Sequence, residues 1–344
     1  MLKPDNIVNP TNFIKKCDAV FSKITNPADL STNLHKYIEI KNIDSHENKS
    51  VFYINQEIEL ADNYWIFAHS ETVELLFNEL NNIEKFNNLT LVTSQSDRLI
   101  TKKLFNKKPD CISNWYSTNV VYNHVSLHSI PLGISDSYNF NNFSTNHVSN
   151  YKQIPFNEKV DKLFINFRKN TNSKEREKLV DSLKHKEFVY HDEYSNDPVS
   201  YIDKLSNYKF VLCPWGNGID TYRLWETLFS GSIPVVKKHD AYKKFKKLPI
   251  IFYENTEDLT LDYLVENEKN INLDYSKEFL TVDFWINKNI EINENIRNIS
   301  FSNKKAIKNF IYKRKLSSKL KILKYYFLRY TNPINYLNFI KKIR

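Results

Sequence analysis

The stretch FVLCPWGNGIDTYRLWETLFSGSIPVV, Phe210 to Val236, holds three of the four glycines in a chain of 344 residues. Glycine makes up roughly 7% of an average protein. A chain this poor in it keeps the residue where geometry demands positive φ or a backbone approach without a side chain. The four sites are Gly133, Gly216, Gly218 and Gly231. Around the last three, KFVLC reads as a buried strand and WGNGID as a turn. DTYRLWETLFS then reads as a helix, with Asp220 or Thr221 as N-cap and Gly231 just past its end. In open α/β sheets ligands bind where such loops leave the carboxyl ends of strands. The amides of GNGID are therefore expected at the positive end of that helix, turned toward a phosphate. On the helix, Leu224 and Leu228 share one face, while Arg223, Glu226 and Ser230 follow i, i+3, i+7 and share another. Arg223 suits a charge-assisted fork on a diphosphate, and Glu226 suits the two hydroxyls of a ribose. An exposed ion pair on a solvated helix fits the same spacing.

Working outward, short apolar runs alternate with amphipathic segments. VFYIN (51–55), YWIFA (64–68) and LTLVT (89–93) read as strands, with ETVELLFNELNNI a helix after the second. A second series begins near residue 160: KLFINF strand, SKEREKLVDSLK helix, EFVYH strand, PVSYIDKLSNY helix, KFVLC strand, the glycine loop and its helix, then IPVV and PIIFY strands. Strands alternating with helices imply parallel sheets covered on both faces. DSYNFNNFSTNHVSNYKQIPFNEK, residues 136–159, is polar and aperiodic and reads as a linker. The expected architecture is α/β, with two doubly wound domains facing a cleft: 1–150, 151–275, and C-terminal helices with a basic amphipathic tail over 276–344.

Composition bounds the function. With 41% hydrophobic residues the chain can bury two domains' worth of core. No stretch approaches the roughly 18 consecutive apolar residues of a membrane span. The amino terminus has no apolar block of a secretory signal, so a cytoplasmic protein is expected. The three cysteines, Cys17, Cys111 and Cys213, lack any CxxC spacing and indicate neither a disulfide framework nor a zinc site. The net charge of +9 is a property of the tail. Residues 301–344 hold 13 Lys and Arg and no acid, which leaves 36 basic against 40 acidic residues over 1–300.

The run RLWETLFSGSIPVV resembles the signature of the exostosin family, glycosyltransferase family 47, and of related bacterial GT-B transferases. NWYSTNVVYNHVSLHSIPLGISD, Asn114 to Asp136, is similar to a second block of that family, at the close of the amino-terminal half. The resemblance is sharp over about 50 residues and reaches from roughly 50 to 270. It implies a GT-B fold and transfer of a sugar from a nucleotide-sugar, UDP-sugar first, to a growing surface glycan of capsule or lipopolysaccharide type. Glu226 matches the glutamate that binds the nucleotide ribose and Arg223 the arginine near the sugar diphosphate. Arg168, in FINFRKNTNSKERE, is placed to reach the donor phosphates, and Gly216, Asn217, Gly218 and Asp220 complete the donor-binding set. Trp215 and Asn217 stand where relatives carry smaller residues. No DxD motif occurs near the donor segment, so neither a metal nor another cofactor is implied.

Charge developing on the leaving diphosphate would face Arg168, Arg223 and the helix amides. An inverting transfer also needs a base for the acceptor hydroxyl. His69 and Glu71 follow one amino-terminal strand and Asp97 follows the next, and the base is expected among these three. Taken alone, each reads more readily as an N-cap or a surface hydrogen-bonding group than as a base. Asn119, His124 and His128 are further cleft candidates, and Trp115 and Trp215 serve either as stacking platforms or as core. Rival readings are a nucleotide-dependent transferase moving a phosphoglycerol or phosphoribityl unit, and a nucleic-acid-binding protein using the basic tail; the transferase reading expects no nucleic acid. The tail itself, with Leu, Ile, Phe and Tyr at helical intervals among basic residues, suits an anionic membrane surface. That would hold the enzyme on the inner face of the plasma membrane beside a lipid-linked acceptor. Packing of the same apolar face against the amino-terminal domain is the alternative.

Overall fold

The computed structural model describes residues 2–26, 37–41, 51–83, 86–136, 142–148, 151–168, 171–192, 197–273, 277–288, 295–301, 305–314, 316 and 320. In chain order its strands are β1 (Ala19–Thr25), β2 (Tyr37–Lys41), β3 (Val51–Asn55), β4 (Glu57–Leu60), β5 (Trp65–His69), β6 (Leu89–Ser94), β7 (Ile112–Ser117) and β8 (Leu127–Ser129). They continue with β9 (Val160–Ile165), β10 (Val189–His191), β11 (Tyr208–Leu212), β12 (Ile233–Lys237), β13 (Ile251–Tyr253) and β14 (Arg297–Ser300). Seven of them form one sheet in the order β2-β3-β1-β5-β6-β7-β8, and five form another in the order β10-β9-β11-β12-β13. The fold is mixed α/β with Rossmann-like parallel sheets.

The second sheet is parallel throughout. The first is parallel from β1 to β8, but β3 runs antiparallel between β1 and β2. VFYIN thus is a strand without being a βα unit: Gln56 turns the chain straight into β4, leaving no crossover helix to reverse it. Full burial of every residue in β3 and β6 explains why both read as unbroken apolar runs.

Two regions depart from the sequence reading. The described part of the 136–159 linker is no tether: Phe143 and Val148 are buried, and the rings of Phe143 and Tyr151 meet Phe229 at 5.4 Å. Its apolar residues are too sparse for periodicity, yet Phe143, Val148 and Tyr151 join the core. The segment after 275 is not purely helical either, since β14 pairs antiparallel with β4. In the tail, Phe301 meets Phe21 edge-on at 5.0 Å, and a helix over 305–314 buries Ile307 and lays Phe310 and Ile311 on the first sheet's core. Its beginning therefore packs back on the amino-terminal half. The run from 321 onward lies outside the described residues. Among the described residues no helix is long and apolar enough to cross a membrane.

Gly133 and Gly231 have φ of +75° and +74°. A Cβ on Gly133 would lie 2.0 Å from the Val8 carbonyl oxygen, whereas on Gly231 it would meet the Gln153 side chain, which can move away. Gly231→Ala is expected to cost about 1–2 kcal/mol of left-handed strain. Gly133→Ala adds a backbone collision and is expected to cost more than about 3 kcal/mol. Urea denaturation midpoints check the order; equal losses would contradict the role assigned to Gly133.

Candidate functional site

Five candidate elements issue from the carboxyl ends of parallel strands: Glu71 beyond β5, Asp97 beyond β6, Asn119 beyond β7, Arg168 beyond β9 and the glycine loop beyond β11. Neighbouring β9 and β11 bring the last two together. Arg176, buried on the apolar face of helix Ser173–Leu183, staples them. Its guanidinium donates to the carbonyls of Trp215 (2.9 Å), Pro214 (3.1 Å) and Arg168 (2.8 Å) and to Thr171 Oγ1 (2.6 Å).

The glycine loop is fixed from the opposite half. Asn119, at φ +55°, accepts with Oδ1 from the amides of Ile219 (3.1 Å) and Asp220 (2.9 Å). Asp220 accepts from the Leu132 amide (2.7 Å) and from Trp225 Nε1 (2.8 Å). The Gly216 amide donates to the Gly218 carbonyl at 3.0 Å. The amides of Gly216, Ile219 and Asp220, expected to face a phosphate, are thus spent within the protein. The N-cap is Thr221, and Asp220 serves as a buried cross-link instead. Gly218 abuts the first sheet's loops, where an added Cβ would lie 2.7 Å from Asp97 Oδ1.

The helix Tyr222–Phe229 then forms one wall of a cavity of about 250 Å³, lined by Arg168, Thr171, Arg176, Pro198, Tyr201, Thr221, Tyr222, Arg223 and Glu226, with Asn142 and Phe143 closing it. Arg168, Arg223 and Glu226, the three named from sequence, converge here; Gly216, exposed Asn217, Gly218 and Asp220 do not line it. The solvated-helix reading of Arg223 and Glu226 is excluded, since Glu226 is 5% exposed. Burial pushes its carboxyl up to about 7 against the pull of Arg223. The Arg223 guanidinium lies over the rings of Tyr201 (5.3 Å) and Phe167 (5.9 Å). Burial, with Arg223 adding repulsion, holds Arg176 down to about 10. Two guanidiniums sharing a desolvated wall make a site that favours an anion.

Arg176, Thr171 and Tyr201 were not picked out by sequence reasoning. An Arg at an apolar-face position, i, i+3, i+7 with Leu179 and Leu183, was the available signal for the first. Tyr201 sits in an ordinary apolar stripe with Ile202 and Leu205, and only its hydroxyl distinguishes it. Thr221 Oγ1 is buried without a hydrogen-bond partner among the described residues, although Thr221 is the N-cap.

The base candidates differ in setting. His69 is 1% exposed; its Nδ1 accepts from the Glu71 amide at 3.3 Å, its ring meets Phe52 edge-on, and burial drives the imidazole down to about 3. Glu71 is ion-paired to Arg314 of the tail helix. Asp97 is exposed beside Gly218. Burial raises the Tyr222 phenol in the cavity wall far above its usual range, and the negative charges of Asp136, Asp97 and Glu226 add to the shift. His128 lies on β8, bonded to Asn114 (3.1 Å) and stacked on Tyr116, and His124 bonds Ser126. Trp115 is core, and Trp215 lies half-buried against His239. Among the described residues no three His, Cys, Asp or Glu side chains converge as a cation site.

Residues 135–279 match the family described as RXYLT1 C-terminal domain. The segment contains every residue lining the cavity and leaves Asp97, Glu71 and His69 outside it. The chain is similar there to a glycosyltransferase-like domain. No curated protein matches the chain.

A carboxyl held near 7 when folded and at its ordinary 4.5 when unfolded keeps its proton in the native state across that window. Its contribution to stability therefore falls as pH rises from about 4.5 to about 7 and stays low above it. Glu226→Gln keeps the shape without the charge. It is expected to raise Tm at pH 8 while changing it little at pH 5; a Tm difference that does not grow with pH contradicts the burial-dominated assignment.

Proposed function

We propose that the chain is a metal-independent glycosyltransferase of GT-B architecture that moves a sugar from a nucleotide-sugar, UDP-sugar first, to a glycan or lipid-linked acceptor of the cell surface. The observation that carries this is the meeting of Arg168, Arg223 and Glu226 in one cavity at the carboxyl ends of β9 and β11. The cavity's cationic wall suits a diphosphate, and its buried carboxyl suits ribose hydroxyls. The two parallel sheets, with Asp97 reaching the glycine loop from the first and the cavity built on the second, support a donor side and an acceptor side. The family match over 135–279 supports the same reading for the donor side.

For an inverting transfer, Asp97 takes the proton of the acceptor hydroxyl as its oxygen bonds to the anomeric carbon. The bond from that carbon to the diphosphate breaks, and Arg168 and Arg223 stabilise the charge left on the departing nucleotide. Asp97 is favoured because it is exposed and abuts the glycine loop, whereas His69 is buried and Glu71 is turned to Arg314 of the tail helix. The basic run of 301–344 is proposed to reach anionic lipid beyond its packed beginning and hold the enzyme on the inner membrane face. A transferase moving a phosphoglycerol or phosphoribityl unit would use the same anion wall, and the mass of the product separates the two.

In calorimetry against UDP, GDP, CMP and ADP, UDP is expected to bind most tightly, and Arg223→Ala to weaken it at least about tenfold, as loss of a charge-assisted contact should. Unchanged affinity would remove Arg223 from the site. Asp97→Asn is expected to lower kcat by about 10²–10⁴ with KM within a few-fold; turnover near wild type would place the base elsewhere.

A further inference from the structure

The Tyr201 side chain is 8% exposed, lines the cavity, and carries the Arg223 guanidinium over its ring at 5.3 Å. Its ring also lies 6.5 Å from that of Phe164. A phenylalanine would meet each of these packing demands. Yet the residue is a tyrosine, and its buried hydroxyl lies near the Glu226 carboxyl in the wall without reaching it, or any other described group, in good hydrogen-bond geometry. Buried hydroxyls are nearly always partnered, and one that is not asks for a partner from outside the protein.

We propose that the Tyr201 hydroxyl and the Glu226 carboxyl form one reader for the two adjacent hydroxyls of the ligand's ribose, and that Tyr201 sets a preference for ribonucleotides over deoxyribonucleotides. This rests on the nucleotide reading of the cavity. Once ionised, the Glu226 carboxylate offers acceptors only, so it can take the protons of both sugar hydroxyls but leaves their oxygens unmatched. The phenol supplies the missing donor. One ribose hydroxyl donates to Glu226 and accepts from Tyr201, and the three groups close as a chain in a desolvated wall. A ligand without that hydroxyl strands the phenol, and a site built to bond a hydroxyl discriminates most strongly against analogues that lack it.

The test is calorimetry of the full chain with UDP, 2′-deoxy-UDP and 3′-deoxy-UDP, for wild type and Tyr201→Phe, with Tm recorded for both proteins. Wild type is expected to prefer UDP over both analogues. Tyr201→Phe is expected to weaken UDP about 3- to 10-fold, the loss of one hydrogen bond, while binding one deoxy analogue as well as wild type does. The preference for UDP over that analogue therefore shrinks, which a general loosening of the wall would not produce. An undiminished preference in Tyr201→Phe overturns the proposal and leaves the nucleotide site standing. If Tyr201→Phe fails to fold, wild type decides, and equal affinity for all three ligands overturns it. If wild type binds none of UDP, GDP, CMP or ADP at millimolar concentration, the nucleotide reading falls and the ribose reader with it.

Discussion

Asn119 Oδ1 accepts from the Ile219 and Asp220 amides at once, and the site depends on that double contact. To make it, Asn119 adopts φ +55°, a conformation asparagine tolerates better than most residues. Asp220 answers from the other side through the Leu132 amide, so each half caps a loop of the other. Both groups are buried, and removing either would strand donors that water cannot reach. The clasp fixes where the helix Tyr222–Phe229 begins, and hence where Arg223 and Glu226 point. It also bears on one of the glycines that a glycine-poor chain retains. Gly218 is bare because Asp97 presses against it, and the loop is shaped by the amino-terminal half more than by any phosphate.

Given that frame, the chemistry follows from desolvation. Arg176 spends its donors on four protein oxygens and holds two loops in register, so it builds the anion wall instead of acting as its mobile part. Arg223 is held by stacking on Tyr201 and Phe167. Glu226, buried beside it, resists ionisation despite that neighbour.

The parallel sheets were legible in the sequence because buried strands leave unbroken apolar runs and amphipathic helices leave a 3.6 period. LTLVT and IPVV fall within strands, KFVLC does so up to Leu212, and RLWETLF falls within the helix. β1 was missed because Ser22 and Lys23 interrupt its apolar run, and β14 because only its pairing with β4 makes it a strand. Arg223, Glu226 and Arg168 were legible through spacing and resemblance. The use of the loop amides was not, because Asn119 lies 100 residues away and no local pattern announces its contact. The Asp220 cross-link, Arg176 and Tyr201 escaped for the same reason: each is defined by what it meets in space, and the sequence records only its neighbours along the chain.

The most direct test of this account is a crystal structure of the chain with UDP bound. The diphosphate is expected against Arg168 and Arg223 and the ribose against Glu226, with the Asn119 contacts to Ile219 and Asp220 unchanged. UDP lodged elsewhere, or seated on the amides of Gly216, Ile219 and Asp220 after the clasp has opened, would contradict it.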